Sequence, residues 1–190
     1  MPAPGLGGRR RLFVGCCACV WTLACGSSSG TSPQHAEPPA GHGTGSGTVA
    51  GHAFGTVGAS YFIGKSDDPV NTTVIYLFDA KVSCTELGAP GWDGRIADGT
   101  GALEMKLLGT DKGTYPVSSM PNGASGESLV NFTVSSTSGT PSEVTSKSGS
   151  VMLDSLTAHS SAAGSFDLTF PDGTLQGSFS AAWCPGGQEP

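Results

Sequence analysis

Cysteine is the residue type whose placement in this chain most directly predicts chemistry. Consecutive arginines at 9–11 precede an apolar run at 12–24, and Cys25 follows that run directly. The run has the length of the apolar core of a secretory signal, about 7–15 residues, and is shorter than the ~20 residues that a membrane-spanning helix needs. We therefore predict that 1–24 is an export signal, which is cut before Cys25 so that its thiol can carry acyl chains.

The residues just before Cys25 are similar to the lipobox of bacterial lipoproteins, in which an aliphatic residue, a small residue and Gly or Ala precede the modified cysteine. Leu23 stands one position later than the aliphatic residue of that pattern, so cleavage without lipid attachment is the alternative. The arginines and the apolar residues at 12–14 also match a twin-arginine signal. The sequence leaves open whether the chain is exported folded or unfolded.

The cysteines after Cys25 are Cys84 and Cys184, which form an even pair. The cysteines inside the apolar run leave with the signal, and lipid would occupy the thiol of Cys25. Export places the pair in an oxidising compartment, where disulfides form and persist. We therefore predict a structural disulfide between Cys84 and Cys184, whose loop of about 100 residues corresponds to roughly 4.7 kcal/mol in the chain-entropy model.

The histidines and acidic residues show no spacing typical of a metal site or a catalytic centre. His35, His42, His52 and His159 each stand outside the two-to-five-residue spacing from another histidine or a cysteine that zinc ligands have. Aspartates beside glycines, such as Asp98, are typical of turns rather than of calcium loops. We therefore expect no metal, no cofactor and no catalytic residue, so the chain is not expected to be an enzyme.

The charge of the chain argues against nucleic acid as a partner. It contains 15 acidic and 9 basic residues, and the arginines at 9–11 of the predicted signal are among the basic ones. An acidic surface repels the phosphate backbone of DNA or RNA. We expect no nucleic-acid partner.

Apolar residues that alternate with polar ones predict β-strands in most of the chain after the signal. In 102–107, for example, Leu103, Met105 and Leu107 share one face. The predicted strands are 48–54, 58–64, 72–78, 102–107, 130–134, 151–153, 166–170 and 175–183. We therefore predict an all-β domain at 48–190, an antiparallel sandwich or small barrel of about eight strands, and the sequence leaves these two architectures open.

Two segments lack strand periodicity. The segment 25–47 is rich in Gly, Ser and Pro, and we predict a flexible, lipid-anchored linker there. The longest irregular stretch of the predicted domain is 84–101, which begins with a predicted short helical turn. Long loops in compact domains are often functional, so Trp92 and Arg95 are predicted to form a contact patch. The alternative is that Trp92 covers the end of a sheet.

The chain shares several segments with a known group of proteins. These are Cys-Gly-Ser at 25–27, Gly-Thr-Val-Ala-Gly-x-x-Phe at 47–54, one mid-chain cysteine at Cys84, and the closing segments 164–170, 177–179 and 183–184. On these segments the chain resembles small lipoproteins of Gram-negative bacteria with a C-terminal all-β domain. The group has no assigned activity, so the resemblance implies a location and a fold but no cofactor or catalytic residue.

We expect a lipoprotein of the bacterial cell envelope, anchored in the outer membrane through acylated Cys25, whose non-catalytic β domain binds a protein or small molecule or has a structural role. Which side of the membrane it faces stays open. Two other functions also stay open. A small-ligand carrier would close its strands around an apolar cavity. A secreted enzyme or enzyme inhibitor would act through the loop 84–101.

Overall fold

The structure, a computed structural model, describes residues 39–65, 72–91, 95–118 and 124–185 of the 190-residue chain. These residues are mostly β and form a curled antiparallel sheet of ten strands with the shape of a half-barrel. The predicted all-β class is confirmed. The predicted signal at 1–24 and Cys25 lie outside the described residues.

The first and the last strand in the sequence pair with each other in the middle of the sheet. The elements are β1 (Gly41–Val49), β2 (His52–Ala53), β3 (Thr56–Lys65), β4 (Thr72–Phe78), α1 (Cys84–Leu87), β5 (Gly101–Leu107), β6 (Gly113–Pro116), β7 (Ser128–Val134), β8 (Ser142–Thr145), β9 (Ser148–Thr157), β10 (Ser161–Phe170) and β11 (Gly173–Trp183). The sheet order is β6-β9-β10-β11-β1-β3-β4-β5-β7-β8, and β2 pairs with β1.

The prediction of about eight strands is too low for the described part of the chain. The strands that it misses include β6 and β8, which are four residues long and form the two ends of the sheet. Among the residues of β8, Val144 is the single apolar one, so the segment shows no alternation. Short edge strands with polar side chains are common because an edge needs little apolar surface and must discourage further pairing.

Strand β1 begins at Gly41, seven residues before the predicted domain boundary at Thr48. Its alternate positions are glycines, which are depleted in strands, and this composition led to the prediction of a linker up to residue 47. Here the glycines permit a close approach of neighbouring backbones. A Cβ at Gly43 would lie 2.4 Å from the carbonyl oxygen of Ser178 on β11. The predicted linker is therefore wrong for 41–47.

The inner face of the curled sheet contains the larger apolar core. Its fully buried side chains include Phe54, Ile75, Leu77, Leu103, Met105, Leu107, Phe132, Leu153, Leu168 and Leu175. The predicted inward phases of 102–107, 166–170 and 175–183 are thereby confirmed. Burial of each such side chain stabilises the fold by about 1.5–3 kcal/mol relative to exposure.

A second apolar cluster covers the outer face of β3 and β4. The side chains of Tyr61 and Tyr76 meet Leu87 and Ile96 of the segment that follows β4. Because both of its faces are covered, every residue of β4 is buried, as the apolar composition of 72–78 predicted for a central strand.

The two halves of the sheet approach each other between β6 and β7. Val117, just after β6, makes a parallel bridge with Ser128, the first residue of β7. The Ser128 hydroxyl donates to the carbonyl oxygen of Tyr115 at 3.2 Å, and the Tyr115 phenol donates to the carbonyl oxygen of Asp111 at 2.6 Å. Burial raises the pKa of the Tyr115 phenol, and the charge of Asp111 raises it further.

We expect alkaline pH to destabilise the fold through Tyr115. Its folded pKa exceeds the value of about 10 in an unfolded chain, so this stabilisation is complete below pH ~10 and is lost as the pH rises through the folded pKa. Tyr115→Phe should lower the free energy of unfolding near neutral pH by about 0.5–1.5 kcal/mol. Urea denaturation at a series of pH values should show this difference shrinking above pH ~10. A difference that stays constant would contradict the prediction.

Candidate functional site

A tight turn in the segment 48–54, predicted as a single strand, places two side chains at one end of the inner core. The chain reverses at Ala50 and Gly51, whose φ angles are 50° and 74°. Two successive residues with positive φ make the primed turn that suits a two-residue hairpin. Alanine there costs about 1–2 kcal/mol because its Cβ crowds the following carbonyl. The return strand β2 then directs His52 and Phe54 inward and leaves Ala53 exposed.

His52 contacts the carboxylate of Asp79, which follows β4. The His52 Nε2 atom lies 2.5 Å from Asp79 Oδ2, and the two side chains are 22% and 16% exposed. Asp79 Oδ1 accepts a hydrogen bond from the Gly101 amide at 2.9 Å. The carboxylate is therefore held at the start of β5 and orients the imidazole.

Glycine at position 101 makes room for this pair. A Cβ there would lie 2.8 Å from His52 Nε2 and 2.9 Å from Asp79 Oδ2. The backbone of Gly101 also accepts the amide of Asp79 at 3.1 Å. Three segments distant in sequence thus meet at one point, where both the side chains and the backbone fix their positions.

Aromatic rings line the core beneath the pair. The Phe132 ring lies 5.8 Å from the His52 ring and meets Phe54 edge-on at 5.7 Å. The ring centroid of Phe170 lies 6.3 Å from that of Phe132. Such edge-on pairs contribute about 0.5–1.5 kcal/mol beyond the burial of their area.

This arrangement combines an oriented imidazole with an apolar aromatic floor. An imidazole held by a carboxylate is two parts of the three-part arrangement that activates a nucleophile. Within the described ranges, the hydrogen bonds found for the His52 and Asp79 side chains join them to each other and to Gly101. The geometry therefore fits a structural role, in which the pair holds β2 against the start of β5 at one end of the inner core.

The predicted disulfide between Cys84 and Cys184 is confirmed. It joins the first residue of α1 to the end of β11, and both cysteines are buried. The Cys184 amide also donates to the carbonyl oxygen of Phe62 at 3.1 Å. The bridge thus fastens the last strand to the segment that covers the outer face of the sheet.

The segment 84–101 is only partly irregular. The predicted turn forms α1, where Ser83 and Glu86 make a reciprocal capping box. The backbone amide of Ser83 donates a hydrogen bond to the Glu86 carboxylate, and this bond lowers the pKa of Glu86. Arg95 is exposed, whereas Trp92 lies outside the described residues, so the contact patch of Trp92 and Arg95 stays a prediction.

The other described histidines have different surroundings. His42 is exposed on β1, while the His159 ring packs 4.8 Å from that of Trp183. No cluster of three His, Cys, Asp or Glu side chains that could hold a metal ion occurs among the described residues. No local sequence pattern signals the contact of His52 with Asp79, because 27 residues separate them.

Among the described residues, no helical segment has the length and apolar character of a membrane span. Neither protein-family models, nor curated proteins, nor solved structures give a match to this chain.

Proposed function

We propose that this protein is an exported lipoprotein of the bacterial cell envelope, anchored through acylated Cys25, and that its β domain has a binding or structural role rather than a catalytic one. The outer membrane is the proposed site of the anchor. The main observation in support is the disulfide between Cys84 and Cys184. That pairing leaves Cys25 as the unpaired cysteine after the proposed cleavage, with its thiol available for acylation.

The position of the disulfide supports an exported location. Both cysteines are buried, and the bridge spans 100 residues of sequence. Disulfides of this structural type belong to oxidising compartments. The resemblance to small Gram-negative lipoproteins points to the same location.

The architecture at the candidate site supports a binding or structural role. The inner face of the sheet is filled by aromatic and aliphatic side chains, and Phe132 is fully buried among them. The Asp79 carboxylate is engaged with His52 and with the Gly101 amide. We infer that the domain is a small barrel with its seam between β6 and β7, rather than a sandwich.

A small-ligand carrier is the second candidate function. The curled sheet and its aromatic interior favour it, because carriers enclose apolar ligands inside such sheets. The packed contacts of Phe54 with Phe132 argue for the structural alternative. The two candidates share the anchor and differ in whether the interior can admit a ligand.

The anchor is tested by Cys25→Ala expressed in a Gram-negative host, with Cys19→Ala as the matched control. We expect the unchanged chain and Cys19→Ala to yield an N-terminal peptide with the mass of an acylated cysteine and to fractionate with membranes. Cys25→Ala should yield no lipid-modified peptide, with its disulfide intact. An unmodified Cys25 in the unchanged chain, or acylation that survives Cys25→Ala, would overturn the proposal.

A further inference from the structure

The residues Ala50–Gly55 form a short segment outside the main order of the sheet, which we call the flap. Its strand β2 pairs with β1. Its turn is strained, because Ala50 has a φ of 50°. This strained segment has little strand pairing, and the side chains at two of its positions, His52 and Phe54, hold it against the core.

The first contact is the pair of His52 and Asp79, which we call the latch. The carboxylate is fixed by the Gly101 amide, so the latch ties the flap to the start of β5. A hydrogen bond between such ionisable groups changes an equilibrium by about tenfold to a hundredfold. The latch should therefore lower the fraction of molecules with an open flap by about that factor.

The second contact is the Phe54 side chain, which is 1% exposed. Its ring packs edge-on against Phe132, and Phe132 in turn meets Phe170. If the flap lifts, one benzyl group leaves the core, and the space that it vacates is bounded on one side by the Phe132 ring. Apolar cavities of that kind stay dry and bind small hydrocarbons.

We propose that the flap is a gate over a binding site for a small apolar ring compound, and that Phe54 occupies this site until the ligand replaces it. The inference rests on the proposed binding role of the domain and not on the anchor at Cys25. Ligand affinity is then reduced in proportion to the small fraction of molecules with an open flap.

Two substitutions weaken the latch in different ways. His52→Gln removes the imidazole, whereas Gly101→Ala keeps both partners and pushes them apart, because its Cβ would lie 2.8 Å from His52 Nε2. Asp167→Asn is the control for charge, since that carboxylate is exposed on β10. Gly139→Ala is the control for an added methyl group, since its nearest neighbour would be Ser136 Oγ at 3.4 Å.

The test measures flap opening and ligand binding on the full exported chain. Hydrogen exchange of the Phe54 amide, which donates to the Gly47 carbonyl at 3.0 Å, reports opening. Calorimetric titration with toluene, which matches the benzyl group of Phe54, reports binding. We expect both latch variants to speed that exchange by about tenfold to a hundredfold relative to the amides of β10 and β11, and to lower the Kd for toluene by the same factor. Neither control should change either quantity.

Phe54→Ala provides an independent check, because it empties the site whether the flap is open or closed. Toluene should bind this variant at least as tightly as it binds His52→Gln, and adding His52→Gln to it should change the Kd less than about twofold. The gate is overturned if the Phe54 amide exchanges no faster than the amides of β10 and β11. The binding site is overturned if opening accelerates while the affinity for toluene stays the same. Loss of lipid from Cys25 would change neither result, so failure of the anchor is distinguishable.

Discussion

Removing the disulfide through Cys84→Ala together with Cys184→Ala is expected to lower the free energy of unfolding by about 2–5 kcal/mol. The bridge closes a loop between residues 100 apart in sequence, so its loss frees a large part of the unfolded chain. It also frees the end of β11 from α1. The replacement of both cysteines avoids an unpaired buried thiol, which would complicate the comparison.

Guanidinium denaturation of the double variant and of the oxidised protein measures this difference. The unchanged protein treated with a reductant serves as the control, because reduction breaks the same bond without a substitution. Both should unfold at a similarly lowered denaturant concentration. A loss below about 1 kcal/mol in both would contradict the prediction, since this is less than half of what native disulfides usually contribute.

The alternation of side chains predicted the parts of the fold where burial has a simple period. In β5, Leu103, Met105 and Leu107 are fully buried, while Glu104 and Lys106 between them are partly exposed. Such strands lie in the middle of the sheet, where one face must be apolar throughout. Local sequence is enough to define them because the contacts that select their residues repeat every second position.

Other strands exist because of partners distant in the sequence. The glycines of β1 would weaken an isolated strand, but β11 and β3 lie so close on either side that a Cβ at Gly41 would come within 2.1 Å of the Ser180 carbonyl oxygen and 2.6 Å of that of Ser60. The same residues that suggested a linker are therefore required by the packing. No local pattern reveals this requirement.

The candidate site was missed for a related reason. His52 lies on β2 and Asp79 follows β4, while Gly101 contributes a backbone amide and the absence of a side chain. Motif spacing identifies sites built from side chains close together in sequence. Here the sheet register brings the groups together, because the pairing of β4 with β5 places Asp79 beside Gly101.

The sequence predicted the disulfide for a different physical reason. That prediction rests on the even number of cysteines after Cys25 and on their expected oxidising compartment. Neither the number nor the compartment depends on strand register. The count could not show that Cys84 begins α1 and that Cys184 directly follows the last strand. Those positions make the bridge a link between the outer cluster and the sheet, which explains the large effect expected from its removal.

Replacement of the fully buried ring in Phe132→Ala should lower the free energy of unfolding by about 3–5 kcal/mol. Phe132 contacts His52, Phe54 and Phe170, so its loss leaves a void directly beneath the latch. Phe179→Ala on β11 is the matched control, because Phe179 is also buried in the inner core but its ring packs over Gly164 of β10.

The two variants should differ in local rather than global behaviour. Both lower stability in urea denaturation, but only Phe132→Ala removes a wall that the flap packs against. We therefore expect the Phe54 amide to exchange faster in Phe132→Ala than in a Phe179→Ala protein compared at equal global stability. Equal exchange in the two variants would mean that the flap depends on the whole core and not on the aromatic floor beneath it. A loss of less than about 1 kcal/mol in Phe132→Ala would contradict the tight packing on which this expectation rests.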